Sequence, residues 1–210
     1  MAIEVAWRTP GAGPGGGFAA PAGSRRLVAN LAEHTVVIGI AGQADRDTAR
    51  RAIRQAIRDE LCAIHAVAPE RIVLCAEAGQ AQAPYALLMT PADPRRIGLA
   101  ISHDGELSLA AIRPNGAVGI DVMQVMETPD LDAVARDYLG PEAVAALARL
   151  APAERAAAFA HAWSGHEARL KCLGRELTEW SADLERELAA CRCLPLALPE
   201  GYVGALALAS

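Results

Sequence analysis

Residues 97–125 read IGLAISHDGELSLAAIRPNGAVGIDVMQV, and this stretch decides the fold. Two runs of alternating apolar and polar residues flank Asp104-Gly105, a strong short-range signal for a β-hairpin. RPNGA (113–117) is a turn, and VGIDVMQV (118–125) is a third strand, so a meander is predicted. Upstream, HTVVIGIA (34–41) predicts a buried strand, and RIVLCAEA (71–78) and YALLM (85–89) predict two more. Between them, Asp45 to His65 reads as a helix with Ala49, Ile53, Ile57, Leu61 and Ile64 on one side. Downstream of Pro129 the chain turns helical: a short helix over Asp130–Tyr138, another over 142–150, and a long one from Pro152 to Leu173 closed by Gly174. CLPLAL and YVGALALA close the chain as strands. Helix, strands, helix, strands is the order of an α+β fold with two similar lobes, 1–115 and 116–210. Each lobe is expected to be a small antiparallel sheet packed by a long helix, in a pseudo-twofold arrangement.

Residues 9–23, TPGAGPGGGFAAPAG, form a Gly/Pro-rich loop. GAGPGG within it matches G-x-G-x-x-G in form, but it contains proline and opens no amphipathic helix, so it carries no nucleotide-binding meaning. The net charge of −5 and pI of about 5.6 argue against a nucleic-acid binder. No apolar run is long enough to span a membrane, and the N-terminus lacks a basic start followed by an apolar core. The five cysteines are odd in number and scattered in spacing. They read as reduced core residues of a cytoplasmic protein, with Cys191 and Cys193 on one face of a strand.

One side chain stands out against this composition. Of 20 basic residues, Lys171 is the single lysine. It lies in WSGHEARLKCLG (163–174), one turn after Glu167. Phe159, Trp163, Glu167 and Lys171 recur at helical spacing, so one stripe runs from an apolar half to an acid and a base. An ordinary Glu–Lys helix pair would work nearly as well with arginine. A compact, flexible ammonium instead suits a phosphate or a proton transfer. His161 and His166 are five apart, which rules out a helical zinc pair.

Asp121 is a second lone acid, placed in the apolar strand VGIDVMQV, where burial without a cation is costly. Asp121 and Glu167, on elements able to face each other, form a candidate site for a hard cation, which prefers carboxylate and phosphate oxygens.

Taken together, G-I-D after a strand hairpin and W-S-x-x-E-A-x-x-K on the long helix resemble the 4′-phosphopantetheinyl transferase superfamily. ISHDGELSLAAI resembles that family's S-H-S hairpin, and the order and spacing of the three fit its larger, two-lobed, Sfp-like branch. The resemblance spans roughly residues 45–175. It implies transfer of the 4′-phosphopantetheine arm of coenzyme A to a serine of an apo carrier protein, with 3′,5′-ADP as leaving group and Mg²⁺ as cofactor. By the same resemblance, coenzyme A lies in a cleft between the lobes of a monomer. Asp121 and Glu167 hold Mg²⁺, Glu167 takes the serine proton, and Lys171 sits on the diphosphate. His103 with Ser102 contacts the 3′-phosphate, Arg50 adds a basic group from the first helix, and His166 lies beside the phosphates.

Three positions depart from the family pattern. Met123 stands where many relatives carry a second acid, on the same side of the strand as Asp121, and a water is expected to fill the gap. His166 replaces the first lysine of the helix motif. Ala83-Pro84 replaces a G-K-P. These departures motivate an alternative: a coenzyme A- or carrier-binding homologue that has lost catalysis.

Overall fold

A computed structural model describes residues 3–4, 7–8, 25–30, 34–42, 45–75, 84–91 and 93–209. The loop at 9–23, residues 76–78 of the strand expected at 71–78, and Ala83 lie outside the described residues. In chain order the elements are β1 (Ile3–Glu4), β2 (Trp7–Arg8), β3 (Arg25–Asn30), β4 (Val36–Ala41), α1 (Arg46–His65), β5 (Ile72–Cys75) and β6 (Tyr85–Leu88). There follow β7 (Arg95–Asp104), β8 (Leu107–Arg113), β9 (Val118–Gln124), α2 (Leu131–Val134), α3 (Gly140–Ala148), α4 (Pro152–Cys172), α5 (Ala182–Leu188), β10 (Cys191–Ala197) and β11 (Tyr202–Ala209).

The strands form two sheets, so the fold is α+β. The first has the order β2-β3-β4-β8-β7-β6-β5 and is antiparallel throughout; the second has the order β1-β10-β11-β9. The second sheet departs from the expected antiparallel form, because β1 runs parallel to β10. The expected boundary near residue 115 falls between β8 and β9, yet β1 crosses it to join the C-terminal strands.

The predicted hairpin is β7–β8, closed at Asp104↔Leu107, with Gly105 at φ +53° in the turn, a value that suits glycine. β9 leaves the first sheet and pairs with β11 from Val118↔Leu208 to Gln124↔Tyr202. α1 begins where predicted, because the Asp45 carboxylate accepts the Thr48 N–H at 2.7 Å. Its buried stripe is Ala49, Ile53, Ile57 and Leu61, whereas Ile64 stands 41% exposed, off that face. In place of one helix over 130–138, α2 gives way to a π-helical turn over Ala135–Leu139. Gly140, at φ +84°, then lets the Trp180 indole lie against the backbone. α4 starts at Pro152, with the Glu154 carboxylate accepting the Ala151 N–H. Gly174, at φ +65°, closes it as predicted.

Three cores stack these parts in layers. Ile53, Ile57 and Leu61 of α1 pack on Val36, Ile38, Ile97, Leu99 and Ile112 of the first sheet. Val37, Leu107, Leu109 and Ala111 of that sheet's other face meet Val118, Ile120, Val122, Leu206 and Leu208 of the second sheet. Ala168 and Cys172 of α4 pack on Ala205, Ala207 and Cys191. The order is therefore helix, sheet, sheet, helix, with the two sheets joined through a continuous apolar layer. All five cysteines are free thiols, and burial beside Cys191 pushes the Cys172 thiol up to about 12, which makes it a poor nucleophile.

Gly119 fixes the height of α4 above β9. A Cβ there would lie 1.9 Å from the Ala168 carbonyl oxygen and 2.5 Å from the Cys172 amide nitrogen. Both are backbone atoms of α4, so no side-chain rotation relieves the clash. Gly119→Ala should cost at least about 2 kcal/mol of stability by overpacking, read as a lower denaturation midpoint in urea.

Candidate active site

The residues singled out in the sequence sit on three elements. β7 supplies Ser102 and His103, β9 supplies Asp121, and the last two turns of α4 supply Glu167 and Lys171. β9 alternates its side chains: Val118, Ile120 and Val122 enter the layer between the sheets, so Gly119, Asp121 and Met123 face α4. Because α4 rests on Gly119, its next residues reach Asp121, two positions along the same face.

β9 also runs beside the free edge of β7. Among the described residues that edge has no partner strand in the first sheet beyond Leu99, since β6 pairs with Arg95 to Gly98. Side chains of β7 bridge the gap: Ser102 Oγ accepts the Val122 N–H at 3.3 Å, and Asp104 Oδ2 accepts the Gln124 N–H at 2.6 Å. The same serine donates to Asp121 Oδ1 at 2.7 Å. Lys171 Nζ donates to Asp121 Oδ1 at 2.6 Å and to Ser102 Oγ at 3.2 Å. The Asp121 side chain is 8% exposed and that of Lys171 is 31% exposed. A carboxylate this buried is stable because a cation and a hydroxyl meet it together.

Glu167 lies one helical turn before Lys171 and is half-buried. Burial pushes its carboxyl above the ordinary value of 4.5; Lys171 pulls it back and the charge of Asp121 pushes it up further. Asp121, Glu167 and Lys171 thus share one electrostatic neighbourhood. The apolar half of the stripe packs as expected: Phe159 is buried and stacks on Trp163, with centroids 5.7 Å apart, and Trp163 meets the edge of Tyr138 at 5.8 Å.

The remaining candidates fall elsewhere. Ser102 has its one donor and both acceptor positions engaged by Asp121, Lys171 and Val122, so its hydroxyl orients the acid instead of standing free for a phosphate. His103 points to the opposite side of β7, with Nδ1 at 2.8 Å from Ser108 Oγ. That is the α1 side of the first sheet, and Ser108 pairs with Ile40, shortly before α1 begins. Arg50, on the second turn of α1, is 55% exposed and pairs loosely with Asp47 at 3.8 Å. His103 and Arg50 therefore belong to the same end of one face.

His166 is not brought to this group. Together with Ala162 and Arg169 it faces away from β9, into a cavity of about 330 Å³ bounded by Leu139, Trp180 and Leu188. Its pKa is lowered by burial and by Arg169, with Glu185 opposing. Met123 packs among Phe159, Trp163 and Leu131, so that position is part of an apolar cluster.

Asp121 and Glu167 offer hard oxygen donors close together, the chemistry that suits Mg²⁺. No third His, Cys, Asp or Glu completes a cluster among the described residues. A two-carboxylate set fits an ion that keeps several waters and takes substrate phosphate oxygens.

With this geometry in view, residues 117–201 match the model of the 4′-phosphopantetheinyl transferase superfamily. The match runs from the start of β9 past the end of β10 and includes Asp121, Glu167 and Lys171. It supports phosphopantetheinyl transfer as the activity and a transferase as the class. Ser102, His103 and Arg50 precede it. No curated protein matches the chain. Among the described residues no helix is long and apolar enough to cross a membrane.

The raised pKa of Glu167 has a consequence for stability. Above its folded-state pKa the buried carboxylate carries a charge that burial disfavours; below the unfolded value the group is neutral in both states, and the cost is gone. Glu167→Gln should therefore melt higher than the parent at pH 7. That advantage should shrink as the pH falls toward 4, followed by thermal melts across this range without metal.

Proposed function

We propose that the protein transfers the 4′-phosphopantetheine arm of coenzyme A to a serine of an apo carrier protein and releases 3′,5′-ADP. The observation that carries this is the meeting of Asp121 and Lys171 at 2.6 Å, with Glu167 one turn away, inside the segment that matches the superfamily. The hairpin upstream of the matched segment favours the two-lobed branch, whose two fused lobes would act as a monomer.

Asp121 and Glu167 would hold Mg²⁺, which when bound supplies positive charge to the diphosphate oxygens. Ser102 keeps the Asp121 carboxylate in one orientation. Glu167, whose raised pKa makes it a better base than an ordinary carboxylate, takes the proton of the carrier serine directly or through a water. The serine oxygen bonds to the phosphorus that bears pantetheine. The bond from that phosphorus to the bridging oxygen breaks, and its electron pair leaves with 3′,5′-ADP. Lys171 places an ammonium on the diphosphate as charge develops on the leaving oxygen. His103 and Arg50, at one end of the α1 face, supply the groups for the 3′-phosphate.

Incubation with an apo carrier, coenzyme A and Mg²⁺ should add the mass of the phosphopantetheine arm to the carrier, seen by intact-mass spectrometry. Glu167→Gln should lower the rate at least about 10²-fold, as for loss of a general base. Full activity in that variant removes Glu167 from the mechanism. Coenzyme A binding with no transfer to a panel of apo carriers would instead point to a binding homologue. The apolar packing of Met123 and the turned-away His166 favour that second reading.

A further inference from the structure

The contact between Lys171 and Asp121 raises a problem of occupancy. Both the ammonium and the Ser102 hydroxyl bond the same oxygen, Oδ1. A divalent ion bound through that oxygen would sit about 2.1 Å from it and within a few ångströms of the ammonium already there. The two cations repel strongly in so buried a place.

We infer that Lys171 is the internal counter-ion of Asp121 in the free protein, that a divalent ion taking Oδ1 displaces it, and that the displacement releases the ammonium toward the substrate's diphosphate. This rests on the reading of Asp121 as a metal ligand. The geometry supplies each part of the exchange. Asp121 is too buried to stand uncompensated, so it needs a cation before the ion arrives. Lys171 sits in the last turn of α4 with its side chain 31% exposed, which leaves its four-carbon stem room to turn. Ser102 remains anchored by the Val122 N–H at 3.3 Å, so the carboxylate keeps its aim while its partner changes. The sole lysine thus has two stations, and metal loading selects the second.

That lysine also provides the probe. Lysine labelled with ¹³C at Cε gives one lysine resonance from this chain, that of Lys171. Titration of the labelled full-length protein with Mg²⁺ alone, without coenzyme A or carrier, should move this resonance with the same midpoint as calorimetric Mg²⁺ uptake. Lys171→Met should bind Mg²⁺ about tenfold more tightly, the order expected when a like charge close to the ion is removed. Asp121→Asn should abolish both the uptake and the shift. Mg²⁺ uptake with a stationary lysine resonance overturns the inference, and so does the absence of uptake. Each result is separate from the carrier-mass assay: transfer with an unmoved lysine sinks the exchange and leaves the transferase reading intact.

Discussion

The site depends on a close approach of two backbones. Helix α4 lies on strand β9 at Gly119, so near that a single Cβ would stand 1.9 Å from a helix carbonyl. Everything charged follows from this contact. Asp121 is two residues along the same face of β9, and Lys171 is within the turn of α4 that covers Gly119. With a larger residue at 119 the helix would ride higher, and a lysine stem aimed at the strand would no longer end at hydrogen-bond distance from the acid. The glycine of the G-I-D sequence therefore acts through the distance it permits.

A second constraint comes from the edge of β7. Among the described residues β6 reaches only to Gly98 of β7, and β9 runs beside the rest of that strand without forming a regular ladder with it. Ser102 and Asp104 lend side-chain oxygens to the backbone N–H groups of β9. One of these bonds also orients Asp121, so the seam that joins the two sheets and the alignment of the acid are one arrangement. The apolar layer of Val37, Leu109, Ile120 and Leu206 holds that seam closed from within.

Much of this was legible because it is local. The Asp45 cap, the Asp104-Gly105 turn, Pro152 and Gly174 each set an element boundary through short-range chemistry, and the structure places those boundaries within a residue or two. The lone lysine and the lone strand acid pointed to the same spot. What was not legible depends on long-range pairing. The parallel β1 owes its existence to β10, a partner at the far end of the chain. The engagement of the Ser102 hydroxyl depends on how β9 lies against β7, which no local pattern encodes. Other misses had a signal. Ser181, followed by acids and by Leu184 and Leu188, marks the start of α5, and the Ser181 hydroxyl does accept the Leu184 N–H. Helical phase alone puts His166 with Ala162 and Arg169, on the side of α4 away from Glu167 and Lys171.

Strand β9 and helix α4 hold Asp121 and Lys171 in direct contact. A double-mutant cycle on metal-free protein, with Asp121→Asn, Lys171→Met and the pair, tests this through urea unfolding. The expected coupling energy is above about 1 kcal/mol, with the double variant less damaged than the sum of the singles. Additive losses, within about 0.3 kcal/mol, would show that the two side chains do not meet, and would contradict the site as described.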